Sequence, residues 1–524
     1  MKRLLAASLL ATTLPLAPAA FAEEPVDLDA IARIRAEGFN NSQVMDMIWH
    51  LTDHLGPRLT NSPQDRAAQL WAADRLDEMG LSNARLDPWG EFGRGWTFEK
   101  VTVEMTHPTY MPMIAIPEAW TPGTGGVIEG EPVLLNFNSV EEVEAFEGDL
   151  KGRIVLMGGP VDVQTPFDPI ADRHDHGSLE EIFMAPEGRA GGGFDPARIE
   201  EFRRRRAVQR AVTEKLREAG AAAILETNTS RGSYGVFFVG SGGSREIDAE
   251  PAIPSIVVAP EHYNRIARLL QNEHKVEMRV EVQATFHDDD LTGRNVIAEI
   301  PGTDPDLKDE VVMLGAHFDS WHGGTGATDN GASSAVVMEA ARILIDAGLK
   351  PRRTIRVALW SGEEQGLLGS RGYVAKHFAD RDTMETTEEY DNFAAYFNMD
   401  NGAGRFRGIY AQSNAAVRPI FEAWIEPLQD LGVTTVTIRD TGSTDHAAFD
   451  AVGLPGFQFI QDRVDYFSRT HHSNMDVYER VIPADVMQAA VVMATFAYHA
   501  ANRDEKLPRK PMPEARERPD RNDD

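Results

Sequence analysis

Downstream of residue 310 the chain carries five short segments that each offer a histidine or a carboxylate. They are Gly315-Ala316-His317-Phe318-Asp319, Thr328-Asp329-Asn330-Gly331, Ser361-Gly362-Glu363-Glu364-Gln365, Asn398-Met399-Asp400-Asn401 and His471-His472-Ser473. Three of them directly follow apolar, β-type runs, at 311–314, 354–360 and 394–397, and helix-like stretches at 332–345 and 486–500 lie between and after these runs. From Asn295 onward this alternation predicts an α/β domain with a central mixed, largely parallel sheet flanked by helices. In such sheets functional groups gather beyond the carboxyl ends of the strands, where these segments fall.

There is no cysteine, so any metal would rest on histidine and carboxylate. His317 and Asp319 are two residues apart in extended chain and share a face. His317 can therefore ligate while Asp319 orients it or a catalytic group. Asp329 sits between glycines, where it serves as a turn former, as a helix cap, or as a short rigid bridge between two ions. Glu363 and Glu364 are neighbours whose side chains would point opposite ways in extended chain, one toward a metal and one toward a substrate. Asp400 ends a buried-looking strand, so its carboxylate must be paired or ligating. His471 and His472 compete for the last position; the pattern His472-Ser473-Asn474-Met475-Asp476 favours His472. Each signal is weak alone. Their conjunction fills every role of a dinuclear zinc site: a bridging carboxylate, one further carboxylate and one histidine per ion, and a separate base.

The chain has 524 residues and a formal charge of −30, from 82 acidic and 52 basic residues. The length implies several domains or one with a large insertion. The charge repels nucleic acid and anionic lipid. Lys2 and Arg3, the apolar run 4–16 and Ala20-Phe21-Ala22 make residues 1–22 a secretory signal peptide. No later run reaches the length of a membrane span. An exported, periplasmic or secreted protein is therefore expected.

Residues 23–110 open with helical patterns; Ser62-Pro63-Gln64-Asp65 reads as a helix start and Gly80 as its end. Residues 111–290 show short strands between Gly- and Pro-rich turns and read as a mostly-β insertion, with an exposed helix and loops in the charged stretch 160–212. His174-Asp175-His176 in that stretch is taken as a solvated loop. Residues 291–502 carry the candidate ligands. Residues 503–524, charged and Pro-containing, read as a disordered tail.

Taken together, the residues resemble the co-catalytic zinc peptidases that include bacterial secreted aminopeptidases and carboxypeptidase Q. His54-Leu55-Gly56-Pro57-Arg58-Leu59 leading to Ser62-Pro63, His317-Phe318-Asp319-Ser320-Trp321 and Glu363-Glu364-Gln365-Gly366 carry the likeness. It implies two zinc ions, one on His317, Asp329 and Asp400, the other on Asp329, Glu364 and His472. It also implies Glu363 as general base, Asp319 supporting His317, a cis bond between Asp329 and Asn330, and a short peptide as substrate. Thr444-Asp445-His446 resembles a Ser-Asp-His segment near the substrate, with Thr in place of Ser. Residues 111–290 resemble a protease-associated domain, expected to supply no ligand and to wall one side of the cleft. Two other readings compete: a glutaminyl cyclase-like acyltransferase with one zinc, and a non-catalytic receptor-like relative. Amino- versus carboxy-terminal trimming and side-chain preference are not legible, and a homodimer is left open.

Overall fold

The computed structural model describes residues 24–189, 196–229 and 234–515. The leader expected at 1–22 lies outside them. Eight strands form the main sheet: β1 (Ser82–Glu91), β2 (Thr292–Ile300), β3 (Val311–His317), β4 (Thr354–Trp360), β5 (Phe393–Asn398), β6 (Phe406–Tyr410), β7 (Thr435–Thr437) and β8 (Gly456–Gln461). Their spatial order is β1-β2-β4-β3-β5-β8-β6-β7. β4, β3, β5 and β8 run parallel to one another. β2 and β6 join them antiparallel, and β1 pairs antiparallel with β2 at the edge. The sheet is thus mixed, with a parallel centre.

The parallel centre follows from sequence. β3 and β5 are buried along their whole length, as their unbroken apolar runs require of strands covered on both faces. Helices α1 (Leu28–Asn40), α2 (Pro63–Glu78), α3 (Ala332–Asp346) and α4 (Pro483–Asn502) supply much of one cover. Ser62 caps α2 by accepting from the Asp65 amide, with Pro63 in the first turn, as the sequence predicts. Trp360, Tyr373, Tyr396 and Phe449 form the layer on the other face.

Residues 95–290 build two smaller sheets with their own core, which includes Val103, Ile154, Leu225, Val258 and Val280. One is an antiparallel layer in which Gly95–His107 pairs with Glu277–His287; this layer therefore begins upstream of residue 111. The other has five strands, four of them parallel. The expectation of a mostly-β texture is corrected by two long helices, Pro196–Ala219 and Pro260–Gln271. The first runs through the charged stretch where an exposed helix was expected and buries a short stripe, including Val212 and Leu216.

The expected disordered tail is also corrected over 503–515. Leu507 is buried against the main core. Arg509 donates to the carbonyls of Tyr390 and Phe393 at 2.8 Å each. Carbonyl acceptors offer no sequence pattern, which is why composition alone misleads here. Residues 516–524 lie outside the described residues. Among the described residues no helix is long and apolar enough to cross a membrane.

Phe397, fully buried in β5, packs its ring 5.7 to 6.2 Å from Phe421, Phe457, Phe459 and Phe496. Phe397→Ala should lower stability by about 3–5 kcal/mol through lost burial and a cavity, read by urea unfolding. A loss under about 1 kcal/mol would contradict the tight packing described.

Candidate metal centre

β3 ends on His317, Ser361 to Glu364 follow β4, Met399 and Asp400 follow β5, and the chain after β8 returns through His471 and His472. Four parallel strands thus present these side chains at one edge of the sheet. Thr328 and Asp329 come from the turn that leads into α3, and the Asp329-Asn330 bond is cis.

Asp329 lies at the middle. One carboxylate oxygen, Oδ1, is 3.2 Å from His317 Nε2, and Asp400 Oδ1 is 3.6 Å from the same nitrogen. The other oxygen, Oδ2, is 3.3 Å from His472 Nε2 and 4.0 Å from His471 Nε2. Glu364 Oε2 meets His472 Nε2 at 2.8 Å. Two groups of candidate donors therefore form, His317/Asp329/Asp400 and Asp329/His471/His472, and Asp329 belongs to both. Of the competing histidines, His472 is the nearer to Asp329.

His317 Nδ1 lies 3.1 Å from the Asp319 main-chain carbonyl. A carbonyl can only accept, so Nδ1 donates to it, and Nε2 is the nitrogen that faces Asp329 and Asp400. The Asp319 carboxylate, 3.7 Å from Nδ1, is too far for a hydrogen bond to it. Instead it accepts from the Glu363 and Glu364 amides at 3.2 and 3.3 Å and from Thr60 Oγ1 at 2.8 Å. Support of His317 thus comes from the Asp319 backbone, while its carboxylate fixes the turn bearing both glutamates. The Glu364 side chain faces His472. Glu363 feels His317, Asp400 and Asp445.

The electrostatics ask for a cation. Burial pushes Glu363 and Glu364 well above the ordinary carboxylate range, reinforced by neighbouring acids. Burial likewise lifts Asp445 to about 7, against the pull of His317. Burial would lower His317, but Glu363, Asp400 and its bonds to Asp319 and Asp329 raise it well above its usual value. Buried Asp329 Oδ2 and Glu364 Oε1 accept no hydrogen bond. Unsatisfied buried carboxylate oxygens facing imidazole nitrogens are what a hard or borderline divalent ion with O/N ligands would satisfy. Zinc fits this donor set.

Residues 295–497 match peptidase family M28. Over nearly its whole length the chain is also similar to carboxypeptidase Q of Mus musculus, 26% identical over 488 residues, covering 92% of this chain and 90% of the relative. A peptidase M28 precursor from Shewanella amazonensis has a similar structure, with TM-score 0.67, 26% identity and coverage of 93% of this chain and 98% of that one. A zinc aminopeptidase from Bacillus subtilis shares the fold at TM-score 0.54 and 18% identity, covering 88% and 95%. The chain is a metallopeptidase homologue with the α/β fold of these structures.

Around the centre several residues act that sequence reasoning left without a role. Arg58 is fully buried. It donates through Nε to Phe318 O at 2.8 Å, through Nη1 to Leu51 O at 2.8 Å and Thr325 O at 3.2 Å, and through Nη2 to Gly326 O at 2.9 Å. It thus joins the loops bearing Asp319 and Asp329. Asp476, lifted to about 7 chiefly by burial, accepts from the Thr328 amide and hydroxyl at 2.6 and 2.8 Å and from the Asp329 amide at 3.1 Å. Thr444 accepts from Asn398 Nδ2 at 3.0 Å and His446 Nε2 donates to Thr441 O at 3.2 Å, so both brace the loop around Asp445. His322, whose direction the sequence left open, is buried and donates from Nε2 to Pro117 O at 2.7 Å. Burial depresses it to about 4, and it acts as a neutral strut. His174 and His176 join neither donor group: Asp175 caps the helix His176–Phe183, and His174 Nδ1 contacts Ser178 Oγ at 3.2 Å.

Arg58→Lys keeps the charge but replaces a planar fork by a point donor unable to reach all four carbonyls. With buried acceptors left unsatisfied, stability should fall by about 3 kcal/mol in urea unfolding. A change below about 0.5 kcal/mol would contradict the role of Arg58 in holding the loops.

Proposed function

We propose that the chain is an exported exopeptidase that hydrolyses short peptides at a two-zinc centre. The observation that carries this reading is the sharing of Asp329 between the two donor groups. His317 and Asp400 would complete the first position, Glu364 and His472 the second. Bound there, the zinc pair would supply Lewis-acid polarisation of the scissile carbonyl and a water of lowered pKa.

The protein's own groups do the rest. Glu363 takes the proton of the attacking water on its carboxylate and hands it to the leaving amine. The Asp319 carboxylate holds the Glu363 amide, which fixes where that proton is received. Residues 23–110 and 291–502 would form the peptidase body, with 111–290 as an inserted protease-associated domain. The Trp321 and Phe238 rings stand 6.2 and 5.5 Å from the His472 ring, and Trp120 packs on Trp321. Such an aromatic wall would restrict the cleft to short chains. Residues 1–22 would direct export.

The single-zinc cyclase reading leaves one of the two positions without an ion, and a metal count separates the two. Zinc-loaded protein should carry two ions per chain by elemental analysis. It should cleave members of a panel of free dipeptides, aminoacyl-anilides and N-blocked peptides, and lose that activity to chelator. Glu363→Ala should lower turnover by at least about 100-fold with zinc content unchanged, whereas Glu364→Ala should lose zinc. Reversed behaviour of the two variants would swap base and ligand; one zinc or none would sink the two-metal reading.

A further inference from the structure

The loop that carries His472 is tied at two places. At its far end Asp476 binds the Thr328-Asp329 backbone, within the M28 segment. Its near end is tied to the other body of the protein. The His472 carbonyl accepts from the Val239 amide at 2.9 Å. Two residues on, the Asn474 side chain behaves as a piece of strand: its Oδ1 accepts from the Phe237 amide at 3.1 Å, and its Nδ2 donates to Gly235 O at 2.8 Å. The opposite edge of the same extended segment is held by Asn228, whose amide accepts from Phe238 N and donates to Phe238 O, each at 3.0 Å. Phe237 and Val239 bury their side chains with Val257 and Ala259, and the intervening Phe238 ring faces His472.

These contacts bear on a strained residue. His472 has φ of +56°, a left-handed conformation that a non-glycine side chain keeps only where the surroundings enforce it. The enforcement comes from the chain that follows its Cα. The Val239 bond fixes its carbonyl, and the Asn474 amide keeps segment 235–239 in register with the loop. Without the Asn474 side chain the buried Phe237 amide loses its acceptor, and the Val239 tie loses its neighbour.

We propose that Asn474 is a positioning residue that lets segment 235–239 hold the His472 imidazole in line with Asp329 and Glu364. The body expected to act only on substrate access thereby sets the metal affinity of one half of the centre. The inference rests on the two-zinc reading given above, and it concerns only the position completed by Glu364 and His472.

The test is a titration of chelator-stripped full-length protein with zinc by calorimetry, repeated with cobalt and followed by its visible absorption. Wild type should take up two equivalents. Asn474→Ala should bind the first as wild type does and the second about 10–100-fold more weakly, with its circular dichroism unchanged. Asn474→Asp, which keeps the acceptor for Phe237 and loses the donor to Gly235, should show a smaller weakening, and it decides the matter if the alanine variant does not fold. Both variants binding two equivalents with wild-type affinity would overturn the inference alone. A wild type that takes up only one equivalent would overturn the two-zinc reading and the inference with it.

Discussion

The rest of the site is organised around one carboxylate, that of Asp329. Its two oxygens address opposite imidazoles, His317 and His472, each at little more than 3 Å. Around it lie Asp400, Glu364, Asp319, Asp445 and Asp476, with few compensating cations. Against the upward push of burial, the hydrogen bond with His317 and the charge of His472 hold Asp329 itself low, while Glu363, Glu364, Asp445 and Asp476 are displaced upward. Carboxylates packed this closely stay buried only when paired, protonated or bound to metal. The proposed centre resolves the conflict by placing a divalent ion on either side of Asp329.

The fold makes that arrangement reachable. Parallel strands release their chains at one edge of the sheet, so ligands far apart in sequence meet without long loops. The loops are then fixed from behind by groups that never meet a substrate. Arg58 gathers the 318 and 325–326 carbonyls, the Asp319 carboxylate pins the Glu363 and Glu364 amides, and Asp476 fastens the His472 loop to the Asp329 turn. Precision at the site is supplied by hydrogen bonds to backbone, which is where a ligand held to a few tenths of an ångström needs its support.

The α/β class and the candidate donors were legible in sequence because weak local marks coincide in a consistent order. His317 and Asp400 stand at or just past the ends of unbroken apolar runs, and Asp329 opens a helix after glycine-rich chain. What escaped were interactions with no periodic or compositional mark. Arg58 bonds four carbonyls, and any residue supplies a carbonyl. Asn474 imitates a strand, which looks from sequence like an ordinary loop asparagine. Residues 503–515 are seated by Leu507 and by arginine-to-carbonyl bonds rather than by an apolar run. The separation of Asp319 into a carbonyl that orients His317 and a carboxylate that orients the glutamates depends on distances of a few tenths of an ångström, which no spacing rule encodes.

The most direct test of the account is a crystal structure of zinc-loaded protein with anomalous data collected on both sides of the zinc absorption edge. Two peaks are expected, one on each side of the Asp329 carboxylate: the first contacted by His317 and Asp400, the second by Glu364 and His472. A single peak, or two peaks with Asp329 bound to only one of them, would contradict the shared-carboxylate centre.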